Sequence, residues 1–325
     1  MRVEHIYLEK EAQEYEFSKS ILKRFPDAGI ILVDDYKSVF NRPRQDFQVQ
    51  KTSTKLILAQ KKDHFLYKGS YLSNSYGHEH FFYNSLILNC IYNCAYCYLQ
   101  GMYKSSYIVI FVNLEDFFKE TDKHLAEYPV FLCISYDTDL LALERYIPYT
   151  SEWIRFARTR PNLLLEIRTK SSNFKQISGI EPIENVIMAW TLSPQEVIRN
   201  IEKRTPSLKK RLESIRQAVE TGWKVRLCFD PVIYVPDWKK IYSEMIIETL
   251  STLPSDKLVD VSLGVFRVNS EYLRNMKEVN SSKILFFPFE KREGFSSYPQ
   301  ELQDTMMNYL KEIVLRFIPP EKLCM

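Results

Sequence analysis

Three cysteines that stand close together are the residues most able to carry chemistry in this chain. Cys90, Cys94 and Cys97 have the spacing C-x3-C-x2-C and follow an apolar run, residues 83–88, that is predicted to be a buried strand. Thiolates are soft ligands that bind iron–sulfur clusters and zinc. A four-iron cluster takes one ligand on each iron, so three cysteines leave one iron open to a small molecule. The spacing therefore predicts an iron–sulfur cluster.

Zinc is the alternative metal at this loop. A zinc site needs a fourth ligand, and His78 or His80 could supply it. On a strand the two histidines would also share a face and could hold a metal. We expect the two histidines instead to be ordinary side chains at the entrance to the loop, since so short a motif often arises by chance. A zinc-held nucleic-acid-binding module without catalysis is the alternative of a different functional class.

The elements that must position the cysteine loop alternate between strand and helix from residue 83 onward. The predicted strands are 83–88, 107–111, 130–135, 163–167, 185–192, 224–229 and 259–266. The predicted helices are 114–125, 140–157, 207–220 and 238–253. This alternation implies a parallel sheet with right-handed crossovers. About seven strands suit an incomplete TIM-like barrel, in which chemistry lies at the carboxyl ends of the strands.

Residues 1–82 are predicted to form a small N-terminal α/β unit, and residues 83–325 the main domain with a C-terminal helix. The first unit has a helical pattern at 12–25 and apolar strand patterns at 30–33 and 55–59. It carries no catalytic motif of its own.

Composition is that of an ordinary globular protein, with 45% hydrophobic and 26% charged residues among 325. A formal net charge of +3 neither indicates nor excludes a nucleic-acid partner. The sequence has no apolar stretch long enough to span a bilayer and no signal-peptide core. Its six cysteines include a cluster rather than a disulfide framework. We therefore expect a cytoplasmic location and no membrane partner.

The cysteine loop continues as Tyr96, Cys97, Tyr98, Leu99 and Gln100, and here the sequence resembles the spore photoproduct lyase family of radical S-adenosylmethionine (SAM) enzymes. These enzymes split the thymine dimer of bacterial spores. The resemblance implies a partial TIM-like barrel of the radical SAM type. It also implies a [4Fe–4S] cluster on the three cysteines, with SAM at the open iron. The implied partners are UV-damaged double-stranded DNA and a reductant such as flavodoxin or ferredoxin.

The resemblance extends to the end of the third predicted strand. Cys133 and Ser135 match a cysteine that donates a hydrogen atom and a serine near SAM, while the family's aspartate is displaced to Asp137 or Asp139. Without the resemblance, Cys133 would be interpreted as a buried thiol that packs as a small hydrophobe. The implied reaction uses a 5′-deoxyadenosyl radical to abstract hydrogen from the dimer, whose methylene bridge then breaks. Cys133 would return a hydrogen atom to the product radical.

Further matches supply the expected SAM contacts. Lys170 ends the fourth strand and is expected to pair with the methionine carboxylate of SAM. Ser193, at the end of the fifth strand, matches a family serine that approaches SAM. Tyr98 is also expected to contact SAM. Tyr96 and Tyr98 would pass the radical on so that SAM is regenerated.

The strongest match outside the loop is the motif that runs from Glu202 to Arg216. Within it, Thr205 or Ser207 is expected to cap the following helix, and Arg211 to lie near the substrate channel.

One segment departs from the family. Residues 291–298 are shorter than the family's hairpin, which enters the DNA, and they lack its Arg-Tyr pair. Arg292 with Phe295 or Tyr298 is predicted to substitute as a wedge. The predicted phosphate contacts are Lys203, Arg204, Lys209, Lys210, Arg211, Lys291 and Arg292. A divergent radical SAM enzyme that acts on another substrate is the alternative on the same scaffold.

Overall fold

The computed structural model describes residues 1–70 and 74–325 of the chain. Its strands are β1 (His5–Glu9), β2 (Gly29–Val33), β3 (Leu56–Ala59), β4 (Tyr67–Lys68), β5 (Phe81–Tyr83), β6 (Ile87–Leu88), β7 (Asn93–Cys94), β8 (Ile108–Phe111), β9 (Val130–Cys133), β10 (Leu163–Thr169), β11 (Val186–Thr191), β12 (Glu202–Lys203), β13 (Lys224–Val232), β14 (Leu258–Val265), β15 (Arg267–Asn269), β16 (Glu290–Arg292), β17 (Phe295–Ser297) and β18 (Leu323–Cys324). Its helices are α1 (Glu16–Lys23), α2 (Lys37–Phe40), α3 (Phe47–Thr52), α4 (Leu99–Met102), α5 (Leu114–Leu125), α6 (Leu140–Leu143), α7 (Tyr149–Arg158), α8 (Gln195–Asn200), α9 (Leu208–Glu220), α10 (Trp238–Ser251), α11 (Ser270–Val279) and α12 (Gln300–Val314). Within the described residues, none of these helices combines the length and the apolar character needed to cross a membrane.

The larger sheet is the predicted partial barrel. It has eight strands in the order β18-β14-β13-β11-β10-β9-β5-β4. All neighbouring pairs are parallel except β4 with β5, which is antiparallel. Every residue of β9 and β11 is buried, as expected for parallel strands covered on both faces. Helices connect most of the parallel strands. Because these strands run in the same direction, their carboxyl ends all lie at the same end of the sheet.

A second sheet has five strands in the order β2-β1-β3-β8-β6. It contains the strands predicted in the N-terminal unit, and it also takes β8, which the sequence had suggested as a barrel strand. The seventh parallel strand of the barrel is instead β18, near the C-terminus. Conversely, β4 and β5, which lie at or near the end of the N-terminal segment, pair in the barrel sheet. The division between residues 82 and 83 stays a prediction.

The apolar run before the cysteine loop is not one strand, and that prediction was wrong. β5 pairs with β9 in the barrel, whereas β6 pairs antiparallel with β8 in the other sheet. The polar residues Asn84 and Ser85 lie buried between them, where the chain crosses from one sheet to the other. The loop that carries the cysteines therefore starts at the junction of the two sheets.

The helix predicted over residues 140–157 is likewise two helices, α6 and α7. Pro148 lies immediately before α7, because proline has no backbone N–H and is excluded from a helix interior.

Candidate active site

A cavity of about 540 Å³ lies at the carboxyl ends of the parallel strands, within the size range of small-molecule sites. The cysteine loop forms one wall of it, and residues at or just beyond the ends of β9, β10, β11 and β13 line much of the remainder, together with residues of β5, β15, β17 and α11. The residues from the sequence predictions that line it are Cys90, Cys94, Tyr96, Cys97, Tyr98, Cys133, Ser135, Asp137, Asp139, Lys170 and Phe295. The fold therefore brings most of the predicted site together.

A second hollow, of about 550 Å³, lies at the surface beside α5. Its lysines pair with neighbouring acids, as in the contacts of Lys62 with Glu11 at 2.8 Å and of Lys123 with Glu120 at 2.8 Å. No cysteine or histidine lines it. Its charges are already neutralised by one another, so we assign the chemistry to the cavity at the strand ends.

Hydrogen bonds to its backbone hold the cysteine loop in place. The Lys51 ammonium donates to the carbonyl of Cys90, and the Gln100 amide donates to the carbonyl of Cys94 at 2.6 Å. In addition, β7 pairs antiparallel with β12. These contacts use the backbone of the loop and leave the three thiols facing the cavity.

Burial raises the pKa of each of these thiols, to about 12 for Cys90 and well above its ordinary value for Cys94. The thiols of the protein alone are therefore protonated at neutral pH, and iron must replace their protons on binding. Across residues 1–70 and 74–325, no three His, Cys, Asp or Glu side chains are already grouped around one metal position. Three soft donors on one loop fit a cluster that has one open iron.

The two histidines near the loop face other partners. The His78 ring lies 4.9 Å from that of Phe131, and the His80 ring lies 3.9 Å from that of Tyr128. Neither histidine lines the cavity that the cysteines share. His78 is exposed and His80 half-buried, and the structure does not place either of them as a fourth ligand beside the thiols.

Tyr96 belongs to a buried polar cluster behind the loop. Its hydroxyl donates to the carboxylate of Glu202, which also accepts from Ser193 Oγ at 3.0 Å and pairs with Arg211 Nη2 at 2.5 Å. Burial favours the neutral form of Glu202, but Arg211 and then Lys170 outweigh burial and lower the pKa of the carboxyl group. Ser193 therefore lies behind the cavity wall, and its expected approach to SAM stays a prediction.

Arg211 corrects one expectation from the sequence. Its side chain is fully buried, and besides Glu202 it donates to the carbonyls of Thr191 and Pro206 and to Thr205 Oγ1. It therefore cannot serve as a phosphate contact at the protein surface. It joins the start of α9 to β12, and hence to the back of the cysteine loop. The predicted cap of α9 is confirmed for Ser207, whose hydroxyl accepts from the backbone N–H of Lys210 at 3.4 Å.

Tyr98 lies at the other end of the loop, next to the first of the two candidate aspartates. Its hydroxyl is 2.9 Å from Asp137 Oδ1 and 2.9 Å from the carbonyl of Tyr136. Burial raises the pKa of Asp137, although hydrogen bonds from Ser85, Tyr98 and Tyr103 oppose the increase. Asp137 thus fixes the orientation of the Tyr98 ring at the cavity wall.

Asp139, Ser135 and Lys170 lie together where β9 and β10 end. Asp139 accepts from Thr169 Oγ1 and from the Lys170 backbone N–H, each at 2.7 Å. The Ser135 hydroxyl is 2.7 Å from both the N–H and the carbonyl of Arg168. Burial alone would lower the pKa of Lys170, but the acidic groups around it, Glu202 first among them, together outweigh burial and the pKa is raised. The lysine therefore remains a cation, which suits a carboxylate ligand.

Cys133 lies at the end of β9 with 4% of its surface exposed, and it lines the cavity. Its neighbour across the strand pair is Glu166 of β10, whose side chain lines the same cavity. Glu166 also forms ion pairs with Arg168, at 3.3 Å, and with Arg226. Sequence analysis missed this cluster, although the charged residues Glu166, Arg168 and Arg226 interrupt otherwise apolar strands.

The short hairpin of β16 and β17 reaches the cavity through Phe295. Glu293 and Gly294 both have positive φ angles, 47° and 84°, as a two-residue hairpin turn requires. Tyr298, one of the two predicted wedge residues, is 2% exposed, and its hydroxyl accepts from the Tyr234 backbone N–H at 2.9 Å. Only Phe295 of that pair is placed to contact a ligand.

Six of the seven predicted phosphate contacts are exposed, namely Lys203, Arg204, Lys209, Lys210, Lys291 and Arg292. None of the six lines the cavity. Arg292 is paired with Glu290 at 2.6 Å and donates to Gln300 at 2.6 Å. The six basic side chains lie outside the cavity, on the protein surface that a nucleic-acid backbone would have to contact.

Curated relatives of this chain are spore photoproduct lyases. The protein of Clostridium acetobutylicum is 25% identical over 211 residues, which are 63% of this chain and 60% of the relative. This match thus spans less than two thirds of the Clostridium protein. The Geobacillus sp. protein is 21% identical over 97% of this chain and 95% of its own length, and the Bacillus subtilis protein 20% identical over 98% and 96%.

Solved structures show the same fold. A spore photoproduct lyase mutant with bound AdoMet and dinucleoside spore photoproduct has a TM-score of 0.84 at 18% identity, covering 99% of this chain and 97% of its own. A second mutant, with the dinucleoside alone, has a TM-score of 0.83 at 18% identity and covers 99% of both chains. The family model described as "Spore photoproduct lyase" matches residues 1–285. Because that match includes the cysteine loop and most strands that line the cavity, the chain belongs to the spore photoproduct lyase family.

Proposed function

We propose that this protein reverses the spore photoproduct, 5-thyminyl-5,6-dihydrothymine, to two thymines in damaged DNA. The observation that carries the proposal is that the three loop cysteines and Cys133 line one cavity at the strand ends. Family membership supplies the reaction class. The activity, substrate and partners of the relatives are brought to this chain as proposals.

Cys90, Cys94 and Cys97 would hold a [4Fe–4S] cluster, whose fourth iron stays open for SAM. When bound, the cluster and SAM supply the 5′-deoxyadenosyl radical that abstracts hydrogen from the dimer. Lys170 keeps its positive charge at the cavity wall and would bind the methionine carboxylate. Ser135 and Tyr98 are the further SAM contacts that we propose.

Cys133 would donate a hydrogen atom to the product radical, because its thiol lines the same cavity as the cluster ligands. Burial keeps this thiol protonated, and a hydrogen-atom donor must carry its hydrogen. Tyr96 lies between Cys94 and Cys97 in sequence, Tyr98 directly follows Cys97, and both tyrosines line the cavity. Their hydroxyls are held by Glu202 and Asp137, so both rings would be fixed for passing the radical on.

Double-stranded DNA and a one-electron reductant such as flavodoxin or ferredoxin are the proposed partners. The dimer must leave the base stack to reach the cavity, at a cost of a few kcal/mol that is smaller at a damaged site. Phe295, at the cavity and on an exposed hairpin, is the side chain placed to stabilise the opened step. The absence of an Arg-Tyr pair and the burial of Tyr298 favour one second candidate, a radical SAM enzyme of this family that acts on a different substrate.

Ligand binding separates the two candidates. Protein with a reconstituted cluster and SAM would be titrated anaerobically with the dinucleoside spore photoproduct, with undamaged thymidylyl-thymidine and with a cyclobutane thymine dimer. The proposal predicts that the spore photoproduct binds at least tenfold more tightly than either control, and that Phe295→Ala reduces this preference. Equal affinity for the three ligands would favour the second candidate.

A further inference from the structure

We propose that Glu166 is a positioning residue that holds Cys133 as an intact thiol, hydrogen-bonded and facing the cavity, until a product radical takes its hydrogen atom. This inference rests on the proposed function of Cys133. Glu166 is not one of the residues that the sequence pointed to, and its part is to act through Cys133 rather than on the substrate.

The contact follows from strand register. Glu166 and Cys133 are directly paired residues of β10 and β9, and parallel pairing puts their side chains on the same side of the sheet. Both side chains line the cavity, and the negative charge of Glu166 is near enough to raise the pKa of the thiol. The remaining capacity of the carboxylate is taken by Arg168 Nε at 3.3 Å and by Arg226. The two arginines thus hold the carboxylate in place beside the thiol, where we propose that it accepts the hydrogen bond.

The charges around Cys133 also favour the intact thiol. Besides Glu166, the groups that face Cys133 are Arg168 on β10 and Tyr83, its paired residue on β5. Burial raises the pKa of the thiol most, the negative charge of Glu166 raises it further, and Arg168 opposes them. The two arginines hold the pKa of Glu166 below its ordinary value. An ionised carboxylate therefore lies beside the thiol at neutral pH and disfavours the thiolate.

The reaction explains why the protonation state matters. Donation breaks the S–H bond homolytically and forms a C–H bond on the product, so a thiol and a carbon radical become a thiyl radical and a closed-shell product. A thiolate has no hydrogen to give. Because the S–H group turns about the Cβ–Sγ bond, the hydrogen can be held at Glu166 and then face the substrate. The same negative charge disfavours one-electron reduction of the thiyl radical to a thiolate, which would end the cycle.

The alternative is that Glu166 only pairs with Arg226 to stabilise the barrel. Asp260 provides the matched control, since it also pairs with Arg226, at 2.6 Å from Nε, and is not bonded to Cys133. We would compare Glu166→Gln with Asp260→Asn. A purely structural function predicts similar effects for the two variants, whereas the inference predicts an effect on Cys133 for Glu166→Gln alone.

The first readout is the infrared S–H band of Cys133 in the metal-free protein, identified by its loss in Cys133→Ala. In the wild type we expect a band shifted to lower frequency by a charge-assisted hydrogen bond and retained to high pH. Glu166→Gln should shift the band upward and lower the pH at which it disappears by roughly one unit or more. Asp260→Asn should leave both unchanged.

The second readout is product partition in the loaded enzyme. Glu166→Gln should form 5′-deoxyadenosine at a rate close to that of the wild type, yet convert less of the substrate to thymine, with a deficit that grows as pH rises. An unaltered band and partition in Glu166→Gln would overturn the inference, even if Cys133→Ala were defective as the proposed function requires. If Glu166→Gln does not fold, the wild type alone provides the test. An S–H band of Cys133 at the frequency of a thiol without a hydrogen bond would then overturn the inference about Glu166.

Discussion

The environment of each cysteine determines what its thiol can do. The three loop cysteines share a cavity wall, and Cys133 lies at a strand end on the same cavity. Cys228 is fully buried in β13, and Cys324 lies in the short strand β18. Neither of these two lines the cavity, so the chain contains its own controls for the chemistry of the others.

Loss of any one loop cysteine should abolish the cluster, because we propose that the loop supplies three iron ligands. We predict that Cys90→Ala, Cys94→Ala and Cys97→Ala each lose the iron–sulfur absorbance and the cleavage of SAM together. Anaerobic reconstitution followed by iron and sulfide analysis would measure this. Cys228→Ala and Cys324→Ala should keep both properties. Retention of iron by all five variants would show that the site is elsewhere.

Cys133→Ala should separate SAM chemistry from repair. The residue is not a proposed iron ligand, so this variant should bind SAM and form 5′-deoxyadenosine. Its product radical would lack the normal hydrogen source and should be trapped as side products, which chromatography and mass spectrometry would detect. Clean thymine formation at the wild-type rate would remove Cys133 from the mechanism.

Among the secondary-structure elements, β12 and α9 carry the back of the cysteine loop. The Glu202–Arg211 pair that joins them is fully buried, and removing one partner of a buried ion pair typically costs about 3–5 kcal/mol. Arg211→Met should therefore lower the free energy of unfolding by roughly that amount at pH 7, as measured by urea denaturation. Arg216→Met, at an exposed position of the same helix, should have little effect.

The effect of Arg211→Met should also depend on pH. The folded-state pKa of Glu202 is lowered by Arg211, so the pair stabilises the fold above the unfolded-state value of about 4.3. That stabilisation is lost as pH falls through the folded-state pKa. The difference in stability between the wild type and Arg211→Met should consequently narrow below about pH 4. If the difference in the free energy of unfolding between the wild type and Arg211→Met stayed constant from pH 7 to pH 3, the stabilisation by this pair would not be electrostatic.

Hydrophobic patterns predicted most barrel strands correctly because those strands are buried on both faces, and they identified α5, α9 and α10. They did not show which strands pair. The run at 83–88 therefore looked like one strand, although Asn84 and Ser85 mark its crossing between sheets. β18 has only two residues, too few to give a periodic signal. The ion pair of Glu166 with Arg226 joins positions 60 residues apart, a contact that no local pattern indicates.

For the molecule as a whole, the family, the partial-barrel fold and the enzyme class predicted from the sequence are confirmed. The motifs that carried the prediction lie on the cavity wall, at Cys90, Cys94, Cys97 and Cys133. The DNA contacts were harder to predict from sequence, because a run of charges does not indicate which members are exposed. Arg211 belongs to such a run and is buried.

Binding of DNA phosphates should be visible in the salt dependence of affinity. We predict that Lys209, Lys210 and Arg292 changed together to Ala weaken duplex binding, and that the slope of log K against log salt falls by about one for each phosphate that the variant no longer neutralises. Fluorescence anisotropy across a salt titration would measure both. The triple variant of Lys62, Lys119 and Lys123 removes the same charge from lysines of the surface hollow beside α5 and should bind like the wild type. Equal decreases in affinity for the two triple variants would indicate a general charge effect instead of a binding surface.

The most direct test of the account is a repair reaction. Protein with a reconstituted cluster would be incubated anaerobically with SAM, a reductant and a duplex that carries one spore photoproduct, and the digested DNA would be analysed by chromatography. We predict that the lesion disappears and that two thymines are recovered for each lesion removed, with no recovery when SAM is omitted or with the Cys97→Ala variant. Cleavage of SAM to 5′-deoxyadenosine by the wild type with the lesion left intact would contradict it.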